Sequence, residues 1–129
     1  MLPRARVGMT GQNRIWLAGN TLTRGLLAGD AGLVDASSRV IWEELRITTG
    51  EGIQPDFSFQ QHGPQQQFGN YGLGLAIEIA RWATALRDTP WAPPSEAMTN
   101  YRHGSLDGES WTVWRGRMDI SACGRHLFP

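Results

Sequence analysis

Leu73-Gly-Leu-Ala-Ile-Glu-Ile-Ala-Arg-Trp-Ala-Thr-Ala-Leu-Arg87 is the stretch that decides the fold. Leu75, Ile79, Trp82, Ala83 and Leu86 recur at helical spacing and share one face, which Ile77 and Ala80 widen. Asp88-Thr89-Pro90 ends the segment, because proline cannot continue a helix. Pro93 and Pro94 then lead to Ser95, which reads as the N-cap of a further helix through about Arg102. Toward the N-terminus, Ile15 to Leu27 reads as a helix, with Ile15, Trp16, Leu22, Leu26 and Leu27 near one side, weakened by Gly19 and stopped by Gly29. Asp35 to Ile47 reads as another. Val40, Ile41 and Leu45 form its stripe, and Glu43 and Glu44 lie toward the other side. The short link Gly29–Gly32 predicts an antiparallel helical hairpin. The expected class is all-α.

The 129 residues suffice for a single domain with an ordinary core. Twelve basic and twelve acidic residues cancel, which argues against a general nucleic-acid binder but leaves room for a local basic pocket. Cys123 is alone, so neither an internal disulfide nor a cysteine metal site is expected. His62, His103 and His126 lack metal-ligand spacing. No window is long and apolar enough for a membrane span. The first residues carry Arg4 and Arg6 with no apolar run behind them, so they do not read as a secretion signal.

Between the second and third helices, Thr48 to Gly72 is rich in Gln and Gly, with Pro55 and Pro64, and keeps neither periodicity. A flexible linker would share this composition. Linkers seldom spend aromatics, however, and this segment holds Phe57, Phe59, Phe68 and Tyr71. A loop of this length inside a small domain usually carries function. From Leu106 onward Gly alternates with Trp, Arg and Asp; Trp111, Val113 and Trp114 fit a short strand or a helical turn. Most of the six Trp residues are expected to pack in the core.

Polar groups of a particular kind are spread along the chain. Gly11-Gln12-Asn13-Arg14 precedes a helix. Ser58-Phe59-Gln60-Gln61-His62 leads to Gly69-Asn70-Tyr71-Gly72, and Gly124-Arg125 lies near the end. Together these motifs resemble, in order and in spacing, those of polysaccharide lyase family 8: Gly-x-Asn-Arg, Ser-Phe-x-Gln-His with Gly-x-Tyr-Gly, and Gly-Arg-x-Ile-Ser-Arg. That family includes hyaluronate, chondroitin AC and xanthan lyases.

The resemblance covers nearly the whole chain. It implies part of an (α/α) toroid, with helical hairpins and a long active-site loop in one domain over 1–129, lacking the family's earliest helices and its C-terminal β-sandwich domains. It implies catalytic roles for Asn13, His62, Tyr71 and Arg125, an acidic polysaccharide as substrate, no cofactor, and an extracellular or periplasmic location. The family's second terminal Arg would fall at Pro129. Arg117 is an alternative for the terminal Arg, since Gly116-Arg117 repeats the context. Arg117, Trp111, Trp114 and Gln61 are further candidates for substrate binding.

Each residue also has a plainer reading. Asn13 would serve as a helix cap, His62 as a solvated loop histidine, and Tyr71 as a loop anchor on the third helix. Arg117 and Arg125 would pair with Asp119 or Glu109. Rival functions are a non-catalytic sugar-binding remnant, a toroidal glycoside hydrolase using Asp56 and Glu78, and a helical interaction module. Helix faces left uncovered by an incomplete toroid predict self-association.

Overall fold

The computed structural model describes residues 9–125. Residues 1–8 and 126–129, with His126 and the rest of the terminal motif, lie outside the described residues. The described chain is mostly helical, in keeping with the all-α reading. Helix α1 spans Gly11–Ala28 and α2 spans Ala31–Glu43. Gly29 in the left-handed region closes α1, and the Asp30 side chain caps α2 by accepting from Leu33 N–H at 3.0 Å. The two helices pack side by side as the expected hairpin.

The face that α1 buries differs from the expected one. Ile15, Ala18, Gly19, Leu22 and Gly25 turn inward, whereas Trp16, Leu26 and Leu27 are exposed. The small residues set this face. A side chain at Gly19 would stand 3.0 Å from the Trp82 indole nitrogen, and one at Gly25 would stand 3.0 Å from Val34. Gly19 therefore permits close helix packing rather than weakening the helix. Helix α2 begins earlier and ends earlier than its apolar pattern suggests, and Glu44, just past its end, is buried rather than solvent-facing.

Helix α3 spans Leu73–Ala85 and buries Leu75, Ile79 and Trp82, with Leu86 just beyond it; Ile77 and Ala80 face outward. Helix α4 spans Ser95–His103, with Pro94 rather than Ser95 at the cap position. A core of Ile15, Leu22, Ile41, Leu45, Ile79 and Trp82 joins the first three helices.

The segment read as structureless is ordered by short pairings. Strand β1 (Gly52–Ile53) pairs antiparallel with β2 (Phe59–Gln60). Gln60 bridges Gln66, and Phe59 C=O accepts from Gln67 N–H at 3.0 Å. A π-helical turn, Phe68–Gly72, then leads directly into α3. Beyond α4, a second π-helical turn and a 3-10 turn reach a hairpin of β3 (Val113–Trp114) and β4 (Arg117–Met118). Its turn residues Arg115 and Gly116 have φ of 52° and 76°, as two-residue hairpin turns require.

Candidate active site

The start of α1 is fastened by three side chains from elsewhere. Glu44 accepts from Gly11 N–H and from Arg14, each at 2.5 Å, and Arg14 also reaches Glu43 at 2.9 Å. Gln61 accepts from Gln12 N–H and donates to Thr10 C=O, both at 3.3 Å. Glu51 accepts from the Thr10 hydroxyl. Gly11 has φ of +57°, and a side chain there would lie 2.3 Å from Gln61 Oε1, so only glycine fits. Thr10 is the residue at the cap position. Asn13 is the third residue of α1 and is not its cap. Among the described residues, the side-chain hydrogen bonds that hold this segment leave the Asn13 amide out.

Gln61, the residue before His62, bonds to Thr10 and Gln12 at this helix start. The Gln12 side chain lies across Gly74, where an added side chain would be only 1.4 Å from its Nε2. Gly74 stands three residues beyond Tyr71. The His62 and Tyr71 rings meet edge to face, with centroids 4.7 Å apart and planes at 69°. His62 is exposed, and Tyr71 is half-buried on the core from within the π-helical turn.

Glu51 is an anion beside His62. Its burial opposes ionisation. The Thr10 hydroxyl, the Gly63 N–H at 2.8 Å and the adjacent His62 outweigh that and hold the carboxyl below its ordinary value.

The C-terminal candidates reach the same loop from another direction. A side chain at Gly124 would stand 2.0 Å from Gln67 Oε1, and one at Gly69 would stand 2.6 Å from Met118 Sδ. Both glycines therefore mark close contact between the last described segment and the Gln67–Tyr71 stretch. Arg125 follows Gly124 and is exposed. Trp111 and Trp114 are also exposed, at 84% and 76%, and the Arg115 guanidinium lies 5.7 Å from the Trp114 ring centre. Trp114 is directly opposite Arg117 in the hairpin, so their side chains share one face. The expected pairing of Arg117 or Arg125 with Asp119 or Glu109 is not formed among the described residues. Asp119 instead binds Ser121, and Glu109 lines a small apolar cavity that raises its pKa by burial.

Gln61 does not fit a ligand-binding role. It is 1% exposed, and both ends of its amide are taken up by backbone groups. The two carboxylates proposed for a hydrolase are engaged locally as well. Asp56 accepts from Ser58 N–H and Oγ, and Glu78 faces Arg81 at 3.6 Å. Glu44, Glu51 and Thr10 were not singled out from sequence. The one available signal was Thr10, a capping residue type directly before a glycine and a helix.

The family model for "Polysaccharide lyase family 8, N terminal alpha-helical domain" matches residues 1–127. The chain belongs to that family. It is 29% identical over 117 residues to chondroitinase-AC of Pedobacter heparinus, covering 90% of this chain and 17% of that enzyme. A chondroitinase AC lyase structure described with oligosaccharide complexes superposes with a TM-score of 0.88 at 28% identity, over 92% of this chain and 18% of that one. A Paenibacillus xanthan lyase gives a TM-score of 0.78 at 28% identity, over 89% and 11%. The Streptomyces coelicolor A3 chondroitin AC lyase shares the fold, with a TM-score of 0.79 at 22% identity over 88% and 16%. The chain thus spans about a sixth of the curated relative's length.

Proposed function

We propose that this chain carries the catalytic loop of a lyase that cleaves a uronic-acid-containing polysaccharide by β-elimination. The observation that supports it most directly is the His62–Tyr71 edge-to-face pair beside the helix start that bears Asn13. Elimination removes the proton at C5, next to the sugar carboxylate. That proton is poorly acidic while the carboxylate keeps its full charge. The Asn13 amide donates to the carboxylate and stabilises the charge that builds on it as C5 loses its proton.

Tyr71 is the base. A phenol acts as a base where donors or positive charge stabilise its anion, the role this reading gives to His62 and Arg125. The same oxygen then protonates O4 of the departing sugar, a syn course in which base and acid are one residue. The C4–O4 bond breaks, a C4–C5 double bond forms, and the proton taken from C5 leaves on O4. Trp111 and Trp114 offer flat faces for sugar rings, and Arg117 offers a cation for their acidic groups. The helices form part of a larger α-helical toroid. A polymeric substrate of this kind calls for an extracellular or periplasmic location.

The test mixes the protein with hyaluronan, chondroitin or xanthan and monitors ultraviolet absorbance of the new double bond. Growth of that absorbance supports the lyase. Measurable binding with no absorbance from any of the polymers sinks it, and leaves a sugar-binding role that the exposed Trp–Arg hairpin also suits.

A further inference from the structure

His62 is held in an unusual backbone conformation, and both of its neighbours are tied to the same distant residue. Its φ is +62° and that of Gly63 is +82°. A histidine in the left-handed region persists only where its surroundings dictate it. On one side, Gln61 donates to Thr10 C=O and accepts from Gln12 N–H. On the other, Gly63 N–H donates to Glu51 Oε1 at 2.8 Å, while Glu51 Oε2 accepts from the Thr10 hydroxyl.

We propose that Gln61 and Glu51 are positioning residues, a two-point clamp on Thr10 that brackets His62 and fixes it relative to Asn13. Gln61 is buried with both amide ends bonded, so it cannot turn without leaving a buried polar group unsatisfied. Both Glu51 oxygens are occupied, so neither residue needs to touch the polymer. The clamp joins a loop and a helix start that are far apart in sequence, and it sets their spacing to within a hydrogen bond. A displacement of about 1 Å at a reacting group costs roughly 10²-fold in rate. The kinetic consequence rests on the lyase reading; the clamp itself does not.

The experiment compares Glu51→Leu, Thr10→Val and Thr10→Ser with the parent chain. Glu51→Leu keeps much of the side-chain volume but removes both acceptor oxygens, whereas a glutamine amide could still accept from Gly63 N–H and donate to the Thr10 hydroxyl. We expect kcat to fall roughly 10- to 100-fold, with KM changed by less than about threefold. Thr10→Val should do the same. The double variant should be no worse than the poorer single one, because both break one bond. Thr10→Ser keeps the hydroxyl and should keep kcat. A purely stabilising role would lower the unfolding temperature but leave kcat of the folded protein unchanged. Wild-type kcat in Glu51→Leu, or additive losses in the double variant, overturns the clamp.

If the parent chain makes no unsaturated product, the lyase reading fails by itself. The clamp is then judged by NMR, from the cross-relaxation between the His62 and Tyr71 rings and the exchange protection of Gly63 N–H. Loss of both in Glu51→Leu upholds it; no change overturns it.

Discussion

The start of α1 and the β3–β4 hairpin both contact the Thr48–Gly72 loop, but they are held in opposite ways. Thr10 to Arg14 is gripped by Glu44, Gln61 and Glu51, with buried polar atoms bonded on several sides. The hairpin rests on the loop through Met118 against Gly69 and turns Trp114, Arg115 and Arg117 toward solvent. A group that must meet one proton at one carbon needs fixed geometry. A surface that tracks a long, variable polymer gains from broad aromatic faces and mobile cations. Under the proposed function, the difference between the regions separates chemistry from grip.

The sharpest way to break that division is Tyr71→Phe. It should lower the rate of double-bond formation by about 10²- to 10⁴-fold, the usual range for losing a general acid–base group. Circular dichroism should show the fold unchanged. Gly11→Ala tests the gripped region directly. It forces a side chain into the left-handed region and against Gln61, and should cost about 1–3 kcal/mol in urea unfolding. Glu44→Ala leaves Gly11 N–H and Arg14 without their buried acceptor and should cost about the same, roughly 1–3 kcal/mol in that assay.

The hairpin should respond differently. Trp114→Ala or Arg117→Ala should weaken polymer binding by about twofold to fivefold, as expected for an exposed cation–aromatic contact, with no change in unfolding temperature. A large stability loss there would erase the distinction between the two regions.

The smallest effect expected lies outside both, at Glu109, and depends on pH. Burial raises this carboxyl above its ordinary 4.5. A raised acid favours the folded state only while it is protonated, so its cost appears as pH rises through the folded pKa. Glu109→Gln should therefore raise the unfolding temperature slightly at neutral pH. The gain should vanish below about pH 4.5, the ordinary carboxyl value.

Much of the fold was legible in the sequence because helices repeat their signal. Leu75, Ile79, Trp82 and Leu86 mark α3 over about three turns, and Gly29 marks the end of α1. The strands were not legible, since β1 and β2 are two residues each and cannot show alternation. Their order comes from pairings between residues that no local pattern links, such as Gln60 with Gln66.

At the site, the motifs pointed to Asn13, His62, Tyr71 and Arg125, and among these the described contacts join His62 to Tyr71. Gln61 misled, because a glutamine beside a histidine in a polar loop reads as a surface group. Its burial comes from a partner at Thr10, which its own surroundings in sequence do not show. Glu44 was hidden for the same reason: a second glutamate at a helix end looks like solvent-facing charge until Gly11 and Arg14 are seen to need it.

The π-helical turn at Phe68–Gly72 has a consequence for how this loop tolerates change in length. A wider turn holds one more residue than an α-turn in the same rise, so it shifts angular phase between the loop on its N-terminal side and α3 on its C-terminal side. The direction of Tyr71 is thereby set apart from the alignment of Leu75 and Ile79 with α1. Deleting one residue there would rotate the phenol by about 100°, the angle per residue of an α-helix, and leave the core stripe intact. The turn thus works as a phase adjuster, letting the aim of the Tyr71 phenol vary independently of the packing that keeps the domain folded.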